Sequence, residues 1–199
     1  MSAKSARTRP ECARIGESVA QLLDRLARMA RGLQYAEGLN PAQWESLRFI
    51  ARANALSRNP GALATFLGTT KGTASQTVIA LESKGYVRRV PDPSDRRAVR
   101  LEITDAGVDL LARDPLLTLD AAVAGLPAGI GGELAGGLGC LLAEFKQRVE
   151  WREFGVCNKC GHFRSPVGEG AAQCGLLDQP LDATDIKQIC ADFSACRDA

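Results

Sequence analysis

Between Thr70 and Thr104 the period of the apolar positions changes from helical to alternating, and that change limits the fold more than any other feature of the chain. Ala74, Val78 and Leu81 recur at steps of four and three, which predicts a helix over Thr70 to Lys84 with Thr70 as its cap. After Gly85 the runs Tyr86 to Val90 and Val99 to Thr104 read as two strands around Pro91 to Arg97, a turn-rich and charged connection. Upstream, Gly61 to Phe66 forms a shorter helix, joined by Leu67-Gly68-Thr69, with Ala64 where two helices must approach closely. Two short helices at this spacing form a helix-turn-helix, and the two strands after them form a β-hairpin with a basic tip.

The flanks are helical. From Cys12 to Tyr35, Ile15, Val19, Leu22, Leu26, Met29 and Leu33 mark the stripe of a long amphipathic helix. Asn40 caps a second helix with Pro41 at its first position, and Trp44, Leu47, Phe49 and Ile50 bury it as far as about Ala55. Thr104 or Asp105 caps a helix running to Arg113 or beyond. After a break near Gly125-Leu126-Pro127, a last helix extends through Leu134, Leu138, Leu141, Phe145 and Val149. Five glycines between Gly131 and Gly139 weaken that helix by roughly 1 kcal/mol each, so packing against a neighbour must hold it, with close backbone approach as one reason for them.

Composition describes a globular chain: 199 residues, 45% apolar, with no run long enough to cross a membrane. Met1 to Pro10 has no apolar stretch of the secretory kind, and the expected location is the cytoplasm. The net charge of +2 conceals an asymmetry: residues 1–100 carry 17 Lys and Arg against 8 Asp and Glu, the remainder 8 against 15. A basic half beside an acidic half is expected when one half faces a polyanion, for which double-stranded DNA is the commonest candidate.

A helix that enters a major groove by its N-terminal end needs hydrogen-bonding side chains there. Thr70, Lys71, Thr73, Ser75 and Gln76 supply them. Arg96 and Arg97 at the hairpin tip suit the negative potential of a minor groove, and Arg88, Arg89 and Arg100 extend the basic surface. Asp95 either pairs with an arginine to shape the tip or forms a surface ion pair of small worth. The helix alone would pass for an ordinary amphipathic surface helix; the adjoining hairpin is what favours DNA.

Leu39 to Trp44, Leu63-Ala64, Leu81 to Val87, Asp92 to Arg97 and Leu101 to Gly107 together resemble the pattern of the MarR family. The resemblance covers residues 12–149. It implies a mainly α fold with a small β-hairpin wing (α+β), that is, a winged helix-turn-helix with a helical dimerisation region. It further implies a homodimer on a palindromic operator, a small-molecule effector between the dimerisation helices and the reader, and no enzymatic activity. The expected organisation is a flexible basic N-terminus over 1–11, dimerisation and support helices over 12–56, the DNA reader over 57–107, dimerisation helices over 108–150 and a cysteine-rich extension over 151–199.

That extension lies outside the family pattern. Its cysteines are spaced Cys157-x2-Cys160-x13-Cys174-x15-Cys190-x5-Cys196, with His162, the only histidine, two residues after Cys160. Four thiolates can close a tetrahedral zinc site or a [4Fe-4S] cluster. With one Cys-x2-Cys knuckle instead of two, the spacing favours the cluster, with zinc as the alternative. The run is similar to the small cluster-binding modules of glycyl-radical-enzyme subunits. That resemblance implies Cys157, Cys160, Cys174 and Cys190 as ligands, Cys196 or His162 as substitutes, and Phe163 and Phe193 as a shield.

Few large apolar residues occur here, so metal binding would supply free energy that burial cannot. A cluster would sense redox state, nitric oxide or iron, reshaping the segment beside the last helix and so shifting DNA affinity. Cys12 and Cys140, by contrast, read as small buried hydrophobes. A thioredoxin-like dithiol at Cys157 and Cys160 lacks the surrounding βαβ pattern, and a winged fold used for protein contacts is the remaining alternative.

Overall fold

The computed structural model describes residues 17–92, 98–149, 152–166 and 171–195. Helix α1 spans Val19–Leu33, beginning where Ser18 and Gln21 close a reciprocal capping box. Among the described residues the helix begins after Ser18, and the start expected at Cys12 lies outside the described residues, which exclude 1–16. Helix α2 (Pro41–Arg52) opens with the same device, an Asn40–Gln43 box with Pro41 at the first position. It stops at Arg52, short of Ala55, because Ala53 turns to extended backbone and bridges Ile189, far along the chain.

Helices α3 (Pro60–Phe66) and α4 (Lys71–Ser83) are capped by Asn59 and Thr70, each side-chain oxygen accepting an otherwise unpaired backbone N–H. Strands β1 (Val87–Pro91) and β2 (Val99–Ile103) pair antiparallel, Val87 opposite Ile103 and Pro91 opposite Val99. Thr104 caps α5 (Asp105–Leu111). Trp44, Leu47 and Ile50 of α2 meet Leu63, Val78, Leu81, Leu101 and Leu110 in one core, each at most 1% exposed. The result is a winged helix-turn-helix, mainly helical with a two-stranded wing, as expected from the sequence.

Gly107 seals the joint between wing and α5. A Cβ there would sit 2.3 Å from the Tyr86 carbonyl oxygen and 2.7 Å from Ile103 Cγ1. Gly107→Ala is therefore expected to destabilise by about 1–3 kcal/mol despite the better helix propensity of alanine, read as a lowered midpoint in thermal unfolding.

Beyond α5 the chain forms α6 (Leu117–Ala124) and α7 (Ile130–Arg148). Neither of these helices nor α1 contains a buried residue. Leu138, Leu141, Leu142 and Phe145 of α7 are each at least 40% exposed. A Cβ added at Gly132, Gly136, Gly137 or Gly139 would meet nothing within 4 Å, so no close approach among the described residues accounts for those glycines. Cys140 is exposed as well, correcting its reading as a small buried hydrophobe: α7 carries no buried residue among those described.

Residues 152–166 and 171–195 fold into short strands, with β3 (Gly155–Val156) against β7 (Ile189–Cys190), and β4 (Phe163–Arg164), β5 (Ala172–Cys174) and β6 (Gln179–Leu181) in an antiparallel triplet. This module is seated chiefly on the loop between α2 and α3, and only secondarily beside α7, where Lys146 meets Glu153 at 3.0 Å. Phe154 closes an aromatic trio with Phe49 and Phe66, its centroid 6.3 and 5.2 Å from theirs, with edge-to-face geometry.

Candidate functional site

The N-terminal turn of α4 presents the first set of functional side chains. Lys71, Thr73 and Gln76 are exposed there and Ser75 is half-buried, while Ala74 and Val78 turn inward. Thr70 does two things: its Oγ1 accepts the Thr73 N–H at 3.2 Å and lies 3.0 Å from the Thr73 hydroxyl. The positive end of the helix dipole therefore stands at the surface beside a lysine and a glutamine, an arrangement suited to phosphate and base edges together.

Beside it, the wing is less freely basic than its sequence. Arg88 Nε donates to Glu102 Oε2 at 2.9 Å, Arg100 Nη2 to Glu102 Oε1 at 2.6 Å, and Arg89 Nε to Glu82 Oε2 at 2.8 Å. Hydrogen bonds from Arg88 and Arg89 hold the Glu102 and Glu82 carboxyls below the usual carboxylate range against a smaller opposing effect of burial. Three guanidinium groups thus share two carboxylates, which orients them and offsets much of their field. Asp95, Arg96 and Arg97, the expected tip residues, lie outside the described residues.

The second set is sulfur. Cys157, Cys160, Cys174 and Cys190 are all free thiols, 4–9% exposed, drawn into the small module from four separate stretches of its sequence. Cys157 to Lys159 form a 3-10 turn in which the Cys160 N–H donates to the Cys157 carbonyl at 3.0 Å. The Gly175 N–H, next to Cys174, donates to the His162 carbonyl at 2.7 Å. Phe163 and Phe193 pack against the cysteine cluster, and the Phe193 ring lies so near Gly155 that a Cβ would come within 2.6 Å of it. Cys196 lies outside the described residues.

Polar hydrogens are directed at these sulfurs. Asn54 Nδ2 donates to Cys157 Sγ at 2.9 Å, and the Ser194 N–H to Cys160 Sγ at 3.5 Å. Hydrogen bonding with Cys157 lowers the Cys190 thiol from its ordinary value, helped by the Asp192 N–H, Ser57 and Asn54, while the same interaction and burial push Cys157 up. Among the described residues no three His, Cys, Asp or Glu side chains stand as a ready metal cage. Sequence reasoning misses Asn54 and Ser57; their only local signal is a loop carrying two asparagines and a serine before Pro60.

The helix-turn-helix and wing have counterparts among known proteins. Residues 37–98 match the MarR family. A Thauera aromatica protein described as a transcriptional regulator for the hcr operon is 36% identical over 84 residues, which is 42% of this chain and 49% of that protein. The chain thus spans about half the length of the curated relative it matches. A crystal structure of MarR is 26% identical at a TM-score of 0.52, covering 67% of this chain and 93% of that one. An S. aureus MepR–DNA complex shares the fold at a TM-score of 0.51 and 16% identity, over 65% and 98% of the two chains. These relatives are transcriptional regulators rather than enzymes.

Two of the larger concave surfaces among the described residues lie around the helix-turn-helix. One, of about 810 Å³, is bounded by Arg31, Gln34 and Tyr35 near the end of α1, by Glu45, Arg48 and Arg52 of α2, and by Ile189 of the cysteine module. Trp44 does not line it, being fully buried behind α2. The other, of about 740 Å³, is an apolar groove between Val19 and Leu23 of α1 and Leu138, Leu141, Leu142 and Phe145 of α7. Among the described residues no helix is long and apolar enough to cross a membrane.

Proposed function

We propose that this chain is a MarR-type transcriptional regulator of the cytoplasm that binds palindromic double-stranded DNA as a homodimer. The observation that carries the reading is the exposed N-terminal turn of α4 beside a wing, in a region that matches the MarR family. Thr70, Lys71, Thr73, Ser75 and Gln76 enter the major groove, Arg88 and Arg89 flank it, and Arg96 and Arg97 reach the minor groove. Homodimerisation is supported by the exposed apolar side chains of α1, α6 and α7, among them Leu26, Leu119, Leu138 and Phe145, a grouping of the kind that marks an interaction surface.

The late cysteines hold a metal centre, a [4Fe-4S] cluster with zinc as the alternative. Cys157, Cys160, Cys174 and Cys190 are the ligands; Cys196 or His162 could replace one. What supports this is the donor set: four buried sulfurs in a module with a small apolar core, N–H groups directed at two of them, and two phenyl rings against the group. A cluster would supply reactivity toward oxidants and nitric oxide, whereas zinc would supply structure only. A second reading, with a structural zinc and a small-molecule effector, is favoured by the 810 Å³ cavity with its arginines.

Selection from a random pool of duplexes tests the DNA reading. It should enrich an inverted repeat with half-sites about one helical turn apart, and recovery of no motif would refute it. On the enriched duplex, Gln76→Ala should relax preference at one base pair per half-site by about 1–3 kcal/mol. Lys71→Ala should weaken all sequences alike and lower the salt dependence by about one counterion.

A further inference from the structure

We propose that Arg152, at the start of the cysteine module, is a DNA contact: together with Lys71 of α4 it takes one backbone phosphate of the operator, so that the module widens the surface by which the reader grips the duplex. The inference rests on the reading of α4 and the wing as a DNA reader, and it holds whatever the cysteines bind. Between the module and the helix-turn-helix lies a cavity of about 320 Å³, bounded by Asn59, Gly61 and Thr65, by Lys71, and by Arg152 and Asp192 of the module. Lys71 is the first residue of α4, the helix whose N-terminal turn stands exposed for a major groove. A duplex that takes this turn into its groove carries a phosphate backbone past the borders of the turn, where basic side chains fix its register.

Arg152 is held in place relative to the reader. Two residues further on, Phe154 stands edge-to-face against Phe49 of α2 and Phe66 of α3, its ring centroid 6.3 and 5.2 Å from theirs. Arg152 Nη2 donates to Asp192 Oδ1 at 3.2 Å, and Ala191, the residue before Asp192, donates its N–H to Ser57 Oγ at 2.9 Å. Both partners of the ion pair are therefore tied to the segment that carries α2 and α3, yet the Arg152 side chain is 58% exposed. A guanidinium has five N–H donors in a planar fork, more than one carboxylate oxygen can use, so the same group can hold Asp192 and a phosphate together.

Charge restricts what this surface can do. Residues 152–195 contain four Lys and Arg against six Asp and Glu, so the field of the module as a whole repels a polyanion. Any gain the module gives to DNA binding must come from a placed contact. On the cavity itself Lys71 and Arg152 outweigh Asp192, and an anion between the two cations meets opposite charge on either side.

The full chain and the enriched duplex provide the test, with anisotropy for the affinity and circular dichroism to show each variant folded. Arg152→Ala and Arg152→Gln are each expected to weaken binding roughly fivefold to tenfold and to lower the salt dependence by about one counterion per half-site. Asp192→Asn removes the carboxylate that opposes the phosphate, and it should bind as tightly as wild type or tighter. Duplexes carrying a single neutral methylphosphonate, moved along the backbone, locate the phosphate: at one position per half-site wild type should lose roughly fivefold, and Arg152→Ala less than about twofold. Equal weakening by Arg152→Ala and Asp192→Asn overturns the inference, because the pair then acts only by fastening the module. Full affinity in both Arg152 variants, on a duplex that wild type binds, overturns it while the DNA reading stands. Saturable binding of inorganic phosphate by the chain alone, with DNA affinity unmoved in Arg152→Ala, assigns the cavity to a free anion and overturns it as well. A wild type that binds no duplex overturns the DNA reading and the inference together.

Discussion

Leu138→Glu is expected to turn a dimer into a folded monomer and to weaken binding to a palindromic duplex at least a hundredfold. Leu138 lies 40% exposed on α7, facing the groove shared with Val19 and Leu23 of α1. It makes no part of the core built from α2, α3, α4, the wing and α5, so a charge there leaves the reader intact. In a dimer the same position would be desolvated, and an unpaired carboxylate in an apolar interface is not tolerated. Two linked readers gain roughly 10²–10⁴ in avidity from simultaneous engagement of both half-sites, and a monomer forfeits that gain. Light scattering coupled to size exclusion gives the oligomeric state and fluorescence anisotropy the affinity. A variant that stays dimeric would remove α1 and α7 as the interface.

Cys157→Ser is expected to have the largest effect on the cysteine module. Cys157 is 5% exposed, accepts from Asn54 and shares a buried cluster with Cys174 and Cys190, so it stands between the loop after α2 and the other sulfurs. The apolar partners available to the module, Ala172, Leu181, Phe163, Ile186 and Phe193, form a small core. Binding of a structural metal by thiolates is worth about 10 kcal/mol or more at neutral pH, enough to decide whether such a segment folds. The variant should be purified without metal, with residues 152–195 opened to proteolysis while helical circular dichroism from the rest persists. Wild-type metal content and protease resistance in Cys157→Ser would exclude that cysteine as a ligand.

Local chemistry is readable in the sequence wherever one residue type settles it. Asn40, Thr70 and Thr104 cap the helices expected of them, because a short polar side chain before an apolar period has few other uses. Alternation from Tyr86 onward marks the wing. Helix α6 is not separable from the residues before it, since Leu116 offers no capping side chain and the helix is apolar around most of its circumference. Pairing of Arg88 with Glu102 depends on strand register, which alternation alone does not supply. Least readable is the seat of the cysteine module. Asn54 meets Cys157 across 103 residues of sequence, and nothing near either residue announces the other. By sequence Asn54 belongs to the last turn of α2; only the extended Ala53, bridged to Ile189, frees it to face sulfur.

If residues 57–107 read a specific DNA sequence as one half of a symmetric pair, binding must depend on both sequence and symmetry. Anisotropy titration of the enriched inverted-repeat duplex against a scrambled duplex of equal length, at two salt concentrations, measures both. The expected result is at least a hundredfold preference for the repeat, two chains bound per duplex, and a preference that survives the higher salt. Equal affinity for the two duplexes, falling alike as salt rises, would contradict a sequence-reading dimer.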